Sequence, residues 1–145
     1  EKVLAIDIQT TNLTANKLFN EAYRAHSPEM VAFLHRNLII TDLRDWVILI
    51  SGDSKEVWKI LKINLRLLHI DGGHDYNTVA NDIEKYGDML ISGGIIHCHD
   101  YESPDCNQAI NELILNSGKY KDCKVLEPYP GVKDQGQLTL RAIKK

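Results

Sequence analysis

An α/β fold with a mostly parallel sheet is predicted by three features of the sequence. Short apolar runs, at Val3–Ile8, Trp46–Ile50, Leu65–Ile70 and Ile95–Cys98, end on acidic or polar residues. Such runs suit buried parallel strands whose C-terminal ends open into loops. Between the last two, Val79, Ile83, Tyr86 and Leu90 recur at helical spacing, giving a βαβ crossover. Polar side chains then gather at the ends of both strands, the edge along which open α/β sheets bind ligands.

Taken in order, Glu1 to Ile8 reads as the first strand, with Asp7 near its end. Thr10 to Arg24 is polar and reads as a loop and short helix anchored by Leu13, Leu18, Phe19 and Tyr23. Ser27-Pro28-Glu29 is a helix start, serine capping and proline at the first helical position. Met30, Val31, Phe33 and Leu34 supply its buried side to about Asn37. After the strand WVILI, Ser51-Gly52-Asp53-Ser54 is the exit turn, and Lys55 to Leu61 reads as a short helix. The strand from Leu65 ends in Asp71-Gly72-Gly73, and Asp75 is placed to cap the crossover helix. Ser92-Gly93-Gly94 reads as a turn into IIHC, which closes on His99-Asp100. Ser103-Pro104 starts a helix with Ala109, Ile110, Leu113 and Ile114 on one face and Gly118 at its end. Lys124–Glu127 and Gln137–Ile143 read as an antiparallel pair around the turn-rich PYPGVKDQG.

Length and composition bound the function. A chain of 145 residues reads as a single domain with room for a real core. Its net charge is -3 and its basic residues are scattered, which argues against nucleic acid or an anionic membrane as partner. No apolar run approaches the roughly 20 residues of a membrane span. Cys98, Cys106 and Cys123 are odd in number and lack CxxC spacing. They read as reduced thiols of a cytoplasmic protein.

The run HIDGGHDYNTVANDIEKY followed by LISGGIIHCHDY resembles the later half of class I S-adenosylmethionine-dependent methyltransferases. It is most similar to the small-molecule O-methyltransferase branch, whose members carry an IDG-x-H-x-Y turn and a GG-φφ-x-HD-Y strand. The resemblance implies a Rossmann-like sheet with a reversed terminal strand, and methyl transfer from S-adenosylmethionine to a small-molecule oxygen acceptor. Such enzymes also carry a first strand and a glycine-rich loop, and no G-x-G-x-G occurs in this sequence. Two alignments stand. In the favoured one, Val3–Ile8 is the second strand and the first lies upstream, making the chain N-terminally truncated. In the other, KVLAIDIQTTNLT is a degenerate first-strand motif, with Asp7, Gln9 and Thr11 where glycines belong. On the first, Val3–Ile8 and Leu65–Ile70 pair directly, a partner fills the slot between them, or the residues belong to a longer chain; S-adenosylmethionine then binds weakly or not at all.

The resemblance also implies site roles. Asp7 would accept both ribose hydroxyls, since a carboxylate offers two oxygens; a strand-end turn cap is the alternative. Gly52, Asp53 and Ser54 would meet the adenine, with Asp53 also suited to cap the next helix. Asp71, His74, His99 and Asp100 converge on one sheet edge. His74 is the candidate general base, because an unperturbed histidine titrates near physiological pH; it could instead rigidify the turn through Asp71. Asp71 would lie near the cofactor sulfonium. Some relatives bind a divalent cation here, which carries Asp71 and Asp100 onto ligand positions and puts His99 where those relatives have a glutamate. Hard cations prefer oxygen, so His99 weakens the magnesium case and leaves manganese or iron open. His69 and His97 read as core or interface residues, and Tyr76 and Tyr101 as pocket walls or sheet-edge packing. Two rival readings are a metal-dependent hydroxylase-like enzyme and a non-catalytic scaffold. Homo-oligomer formation is left open.

Overall fold

The computed structural model describes residues 2–7, 36–127 and 138–145. The expectations for Ile8, for Thr10–Arg24, for the helix start at Ser27 and for the PYPGVKDQG turn lie outside the described residues, as does any loop at Gln9–Asn12. Two compact units emerge, Glu1–Val57 and Trp58–Lys145.

In the first unit, β1 (Val3–Asp7) and β2 (Val47–Ser51) pair in parallel. A helical stretch over 36–40 and a 3-10 turn (Arg44–Trp46) precede β2. Their register runs from Val3 opposite Val47 to Asp7 opposite Ser51. Asp7 therefore ends its strand beside the turn Ser51-Gly52-Asp53-Ser54. Helix α1 covers only Ser54–Val57, shorter than the expected Lys55–Leu61. The apolar spacing misleads here because Ile60, read as inward-facing, is 77% exposed and gives the helix nothing to bury against. Val57 is buried, and a Cβ on Gly52 would stand 2.8 Å from its Cγ2, so close packing of turn on helix requires glycine there.

The second unit is a four-stranded sheet in the order β3-β4-β6-β5, with β3 Leu65–Ile70, β4 Leu90–Cys98, β5 Tyr120–Leu126 and β6 Thr139–Lys144. β3 and β4 are parallel; β6 runs antiparallel to both its neighbours. The crossover between β3 and β4 is helix α2 (Tyr76–Asp88), and α3 (Pro104–Ile110) follows β4. Both helices cover one sheet face. Ile70, Ile96, Cys98, Leu140 and Ala142 from the strands pack with Val79 and Ile83 of α2 and with Ala109 and Ile110 of α3. Truncating such a residue, Ile110 for example, costs about 2–5 kcal/mol.

Local chemistry explains the element ends. Asp75 caps α2, accepting from the Thr78 amide at 3.0 Å and its hydroxyl at 2.6 Å. The expected turn at Ser92-Gly93-Gly94 is instead a bulge inside β4. Leu90 faces Leu65 and Ile95 faces Leu67, so β4 spends five positions against two of β3. Gly93 sits at φ 81 and a Cβ on Gly94 would meet the Ile91 carbonyl at 2.9 Å, which is why two glycines stand there. β5 begins at Tyr120, four residues before the expected start, because buried Tyr120 anchors it opposite Lys144. A register shift after Lys121, with Asp122 at φ 51, hides that anchor from an alternation count. The helix after Pro104 passes into a π turn over Asn111–Leu115.

Among the described residues β1 pairs only with β2, and β3 only with β4.

The other sheet face carries a row read directly from register: His69, His97, Arg141 and Lys124. His69 and His97 meet edge to face at 6.3 Å between ring centroids. Partial burial, then the neighbouring His69 and Arg141, hold the His97 imidazole below its usual range.

Two outcomes are expected from this packing. Gly87→Ala in α2 should destabilise the fold by about 1–3 kcal/mol, although alanine is ordinarily the better helix former by about 1 kcal/mol. The new Cβ would stand 2.6 Å from the Tyr120 hydroxyl. Chemical denaturation reads the sign, and a stabilised variant would show that Tyr120 yields freely. For His97, the unfolded chain binds more protons than the folded one below the ordinary histidine value of about 6.5, so stability falls as pH drops through that window. Replacing it by glutamine should flatten this fall in pH-dependent denaturation; an unchanged slope would place the titration elsewhere.

Candidate functional site

The C-terminal ends of β3 and β4 are joined one residue past their last register pair, Ile70 with Cys98: the His99 amide donates to the Ile70 carbonyl at 3.0 Å. That bond sets His99 beside Asp71. The chain then turns at Asp100, whose φ of 54 is a left-handed conformation uncommon outside glycine. The turn brings the Asp100 carboxylate back over the strand ends.

Four ionisable groups meet there. His74 Nε2 lies 2.8 Å from Asp100 Oδ2. His99 Nδ1 lies 3.2 Å from the same oxygen and 3.3 Å from Asp71 Oδ1. Asp100 is the most enclosed of the four, its side chain 13% exposed against 59% for His74. His99 Nδ1 is buried yet aligned for a hydrogen bond to neither carboxylate. One ligand atom each from Asp71, His74 and Asp100 fall within 4.8 Å of one another. The cation set anticipated from sequence was Asp71, His99 and Asp100; among the described residues the geometry groups Asp71 and Asp100 with His74 in place of His99.

Gly72 and Gly73 carry β3 into this turn, and α2 begins immediately after it. The buried Cys106 thiol donates to the His74 carbonyl at 3.7 Å, tying the turn to α3. Burial pushes that thiol up from its ordinary range. Tyr76 and Tyr101 are engaged by the last helix. The Tyr76 hydroxyl donates to Glu112 at 2.6 Å, which raises the phenol and lowers the carboxyl. The Tyr101 hydroxyl donates to Asn111 at 2.9 Å. Sequence reading missed Cys106, Asn107 and Asn111; the i, i+4 spacing of the two asparagines was the available signal.

In the first unit Asp7 and the turn from Gly52 to Ser54 occupy the ends of adjacent parallel strands. Asp53 accepts from the Lys55 amide at 2.9 Å, the helix-cap role foreseen for it. The acid-terminated strand and the glycine-containing exit turn thus lie side by side in one two-stranded sheet.

A methyltransferase domain model matches residues 1–101. A curated relative, an uncharacterized protein of Acanthamoeba polyphaga mimivirus, is 36% identical over 72 residues. The match covers 44% of this chain and spans about a third of that relative, 33% of its length. Among solved structures, an O-methyltransferase from Bacillus cereus in complex with SAH superposes with a TM-score of 0.67 at 16% identity, covering 99% of this chain and 63% of that one. An rRNA methylase from Streptococcus thermophilus gives a TM-score of 0.67 at 15% identity, covering 99% and 73%. The O-methyltransferase NovP gives 0.66 at 17% identity, covering 99% and 60%. The fold is thus the Rossmann-like α/β methyltransferase fold with a reversed terminal strand, and the chain belongs to the methyltransferase domain family.

Proposed function

We propose that the protein transfers a methyl group from S-adenosylmethionine to an oxygen of a small molecule. The observation that carries this reading is the cluster of Asp71, His74, His99 and Asp100 at one strand-end edge in a chain of the methyltransferase domain family. The O-methyltransferases among its structural neighbours, one of them in complex with SAH, support the same chemistry. A net charge of -3 favours a small acceptor over a nucleic acid.

S-adenosylmethionine would supply a methyl on a positively charged sulfur, the carbon–sulfur bond breaking as the carbon–oxygen bond forms. The chain's own part is to place and deprotonate the acceptor. His74 presents one ring nitrogen to Asp100, which orients the ring. The other nitrogen is left to take the acceptor proton. Asp71 faces the same edge and can favour a neighbouring cationic centre. In the first unit Asp7 is proposed to hold the ribose hydroxyls, and Gly52, Asp53 and Ser54 the adenine. Most of the rate would come from alignment, the base adding a smaller share.

The orphaned His99 nitrogen favours a divalent cation at this edge as well. An imidazole nitrogen facing two carboxylate oxygens without a hydrogen bond is a poor arrangement alone, and a cation between them relieves it. Asp71, His74 and Asp100, whose ligand atoms converge, would hold it, with His99 Nδ1 beside the two carboxylates. The mixed nitrogen and oxygen donor set suits manganese or iron better than magnesium. Such an ion would lower the pKa of an acceptor hydroxyl.

His74→Ala should reduce methyl transfer to hydroxylated acceptors by about 10²–10⁴-fold, with S-adenosylhomocysteine affinity retained in calorimetry. Asp7→Ala should do the reverse, weakening S-adenosylhomocysteine first. Parent-level turnover in His74→Ala would make that histidine structural. Absence of any S-adenosylhomocysteine binding by the parent would favour the scaffold reading, and methylation of ribosomal RNA in preference to small acceptors would overturn the acceptor class.

A further inference from the structure

We propose that Tyr101, Asn107 and Asn111 form a positioning clamp that holds the Asp100 carboxylate in the site; the inference rests on the functional reading of the Asp71–His74–His99–Asp100 cluster given above. Three hydrogen bonds run in one donor sense from Tyr101 back to Tyr101. Its hydroxyl donates to Asn111 Oδ1 at 2.9 Å, Asn111 Nδ2 donates to Asn107 Oδ1 at 2.6 Å, and Asn107 Nδ2 donates to the Tyr101 carbonyl at 3.0 Å. Each amide is used once as acceptor and once as donor. Both ends of the chain of bonds fall on the residue that follows Asp100, one on its side chain and one on its backbone.

That placement answers a specific need. Asp100 sits at φ 54, a conformation that is unfavourable for a non-glycine residue and persists only where its surroundings hold it. The Ser103 amide donates to the Asp100 carbonyl at 2.9 Å, and the Tyr101 amide donates to the Leu138 carbonyl at 3.0 Å. These fix the turn from the front; the clamp fixes it from α3. Released, the backbone would relax toward an ordinary region and swing the Asp100 carboxylate away from His74 and His99, which approach it at 2.8 and 3.2 Å. Asn111 also opens the π turn, and such turns recur where a helix must aim a side chain at a functional position.

The test compares the parent with Tyr101→Phe, Asn111→Leu and a control, Gln108→Ala, whose side chain bonds Glu112 at 3.0 Å instead of the clamp. Two readouts are taken after thermal melting confirms folding: Mn²⁺ affinity by calorimetry, and the His74 imidazole nitrogen resonances of the metal-free protein. Asn111→Leu should weaken Mn²⁺ about 10–100-fold, the usual loss when a group behind a ligand is removed. Tyr101→Phe, which severs one link, should weaken it several-fold. Both should shift the His74 signals toward those of an unpaired imidazole, and Gln108→Ala should leave both readouts unchanged. Should Asn111→Leu not fold, Tyr101→Phe decides. If the parent binds no Mn²⁺, the cation part of the functional reading fails and the His74 signals alone judge the clamp. Folded variants that keep Mn²⁺ affinity within twofold, or leave the His74 signals unmoved where no Mn²⁺ binds, would overturn it.

Discussion

The hydrogen bond from the His99 amide to the Ile70 carbonyl is the constraint on which the candidate site depends. It extends the parallel pairing of β3 and β4 one step past their last register pair, so two separate polar exits leave the sheet at one point. Buried Ile70 and Cys98 fix the strands below it, and α2 and α3 pack on the same face. Above it, the chain is free of the sheet and each residue can be aimed. Asp71 continues from β3, while Asp100 folds back through a left-handed turn. Rigid strands thus supply the position and short turns supply the direction.

Much of this was legible in the residues themselves. The apolar run ending at Ile70, the DGG turn, the Asp75 cap and the spacing of Val79, Ile83 and Tyr86 specify strand, turn and helix locally. The structure follows them nearly residue for residue. Features that depend on distant partners were not legible. The glycines at 93 and 94 read as a turn because only the pairing with β3 shows that they bulge within a continuing strand. The helix after Ser54 was overestimated because spacing alone cannot show that Ile60 lacks a surface to cover. That β6 lies between β4 and β5 follows from the pairing, not from order along the chain.

The site divides in the same way. Asp71, His74, His99 and Asp100 could be named from strand ends because the topology brings such ends together. Their division of labour could not. Asp100 lies between both histidines, and only coordinates show it. Its backbone conformation, and the Tyr101–Asn107–Asn111 clamp behind it, are products of tertiary packing that a carboxylate in a sequence does not announce. The ribose and adenine candidates came from the resemblance; the strands that carry them, β1 and β2, end in register, Asp7 opposite Ser51.

On the proposed function, His74 and Asp100 act as one unit in methyl transfer. A double-mutant cycle on turnover, with saturating S-adenosylmethionine and a methylated acceptor as the readout, tests it most directly. If the unit holds, His74→Ala and Asp100→Asn each cut the rate strongly, and the double variant is little worse than the weaker single, the non-additivity expected of residues that work together. Rate losses that simply multiply in the double variant would contradict the claim, leaving two independent residues at one sheet edge.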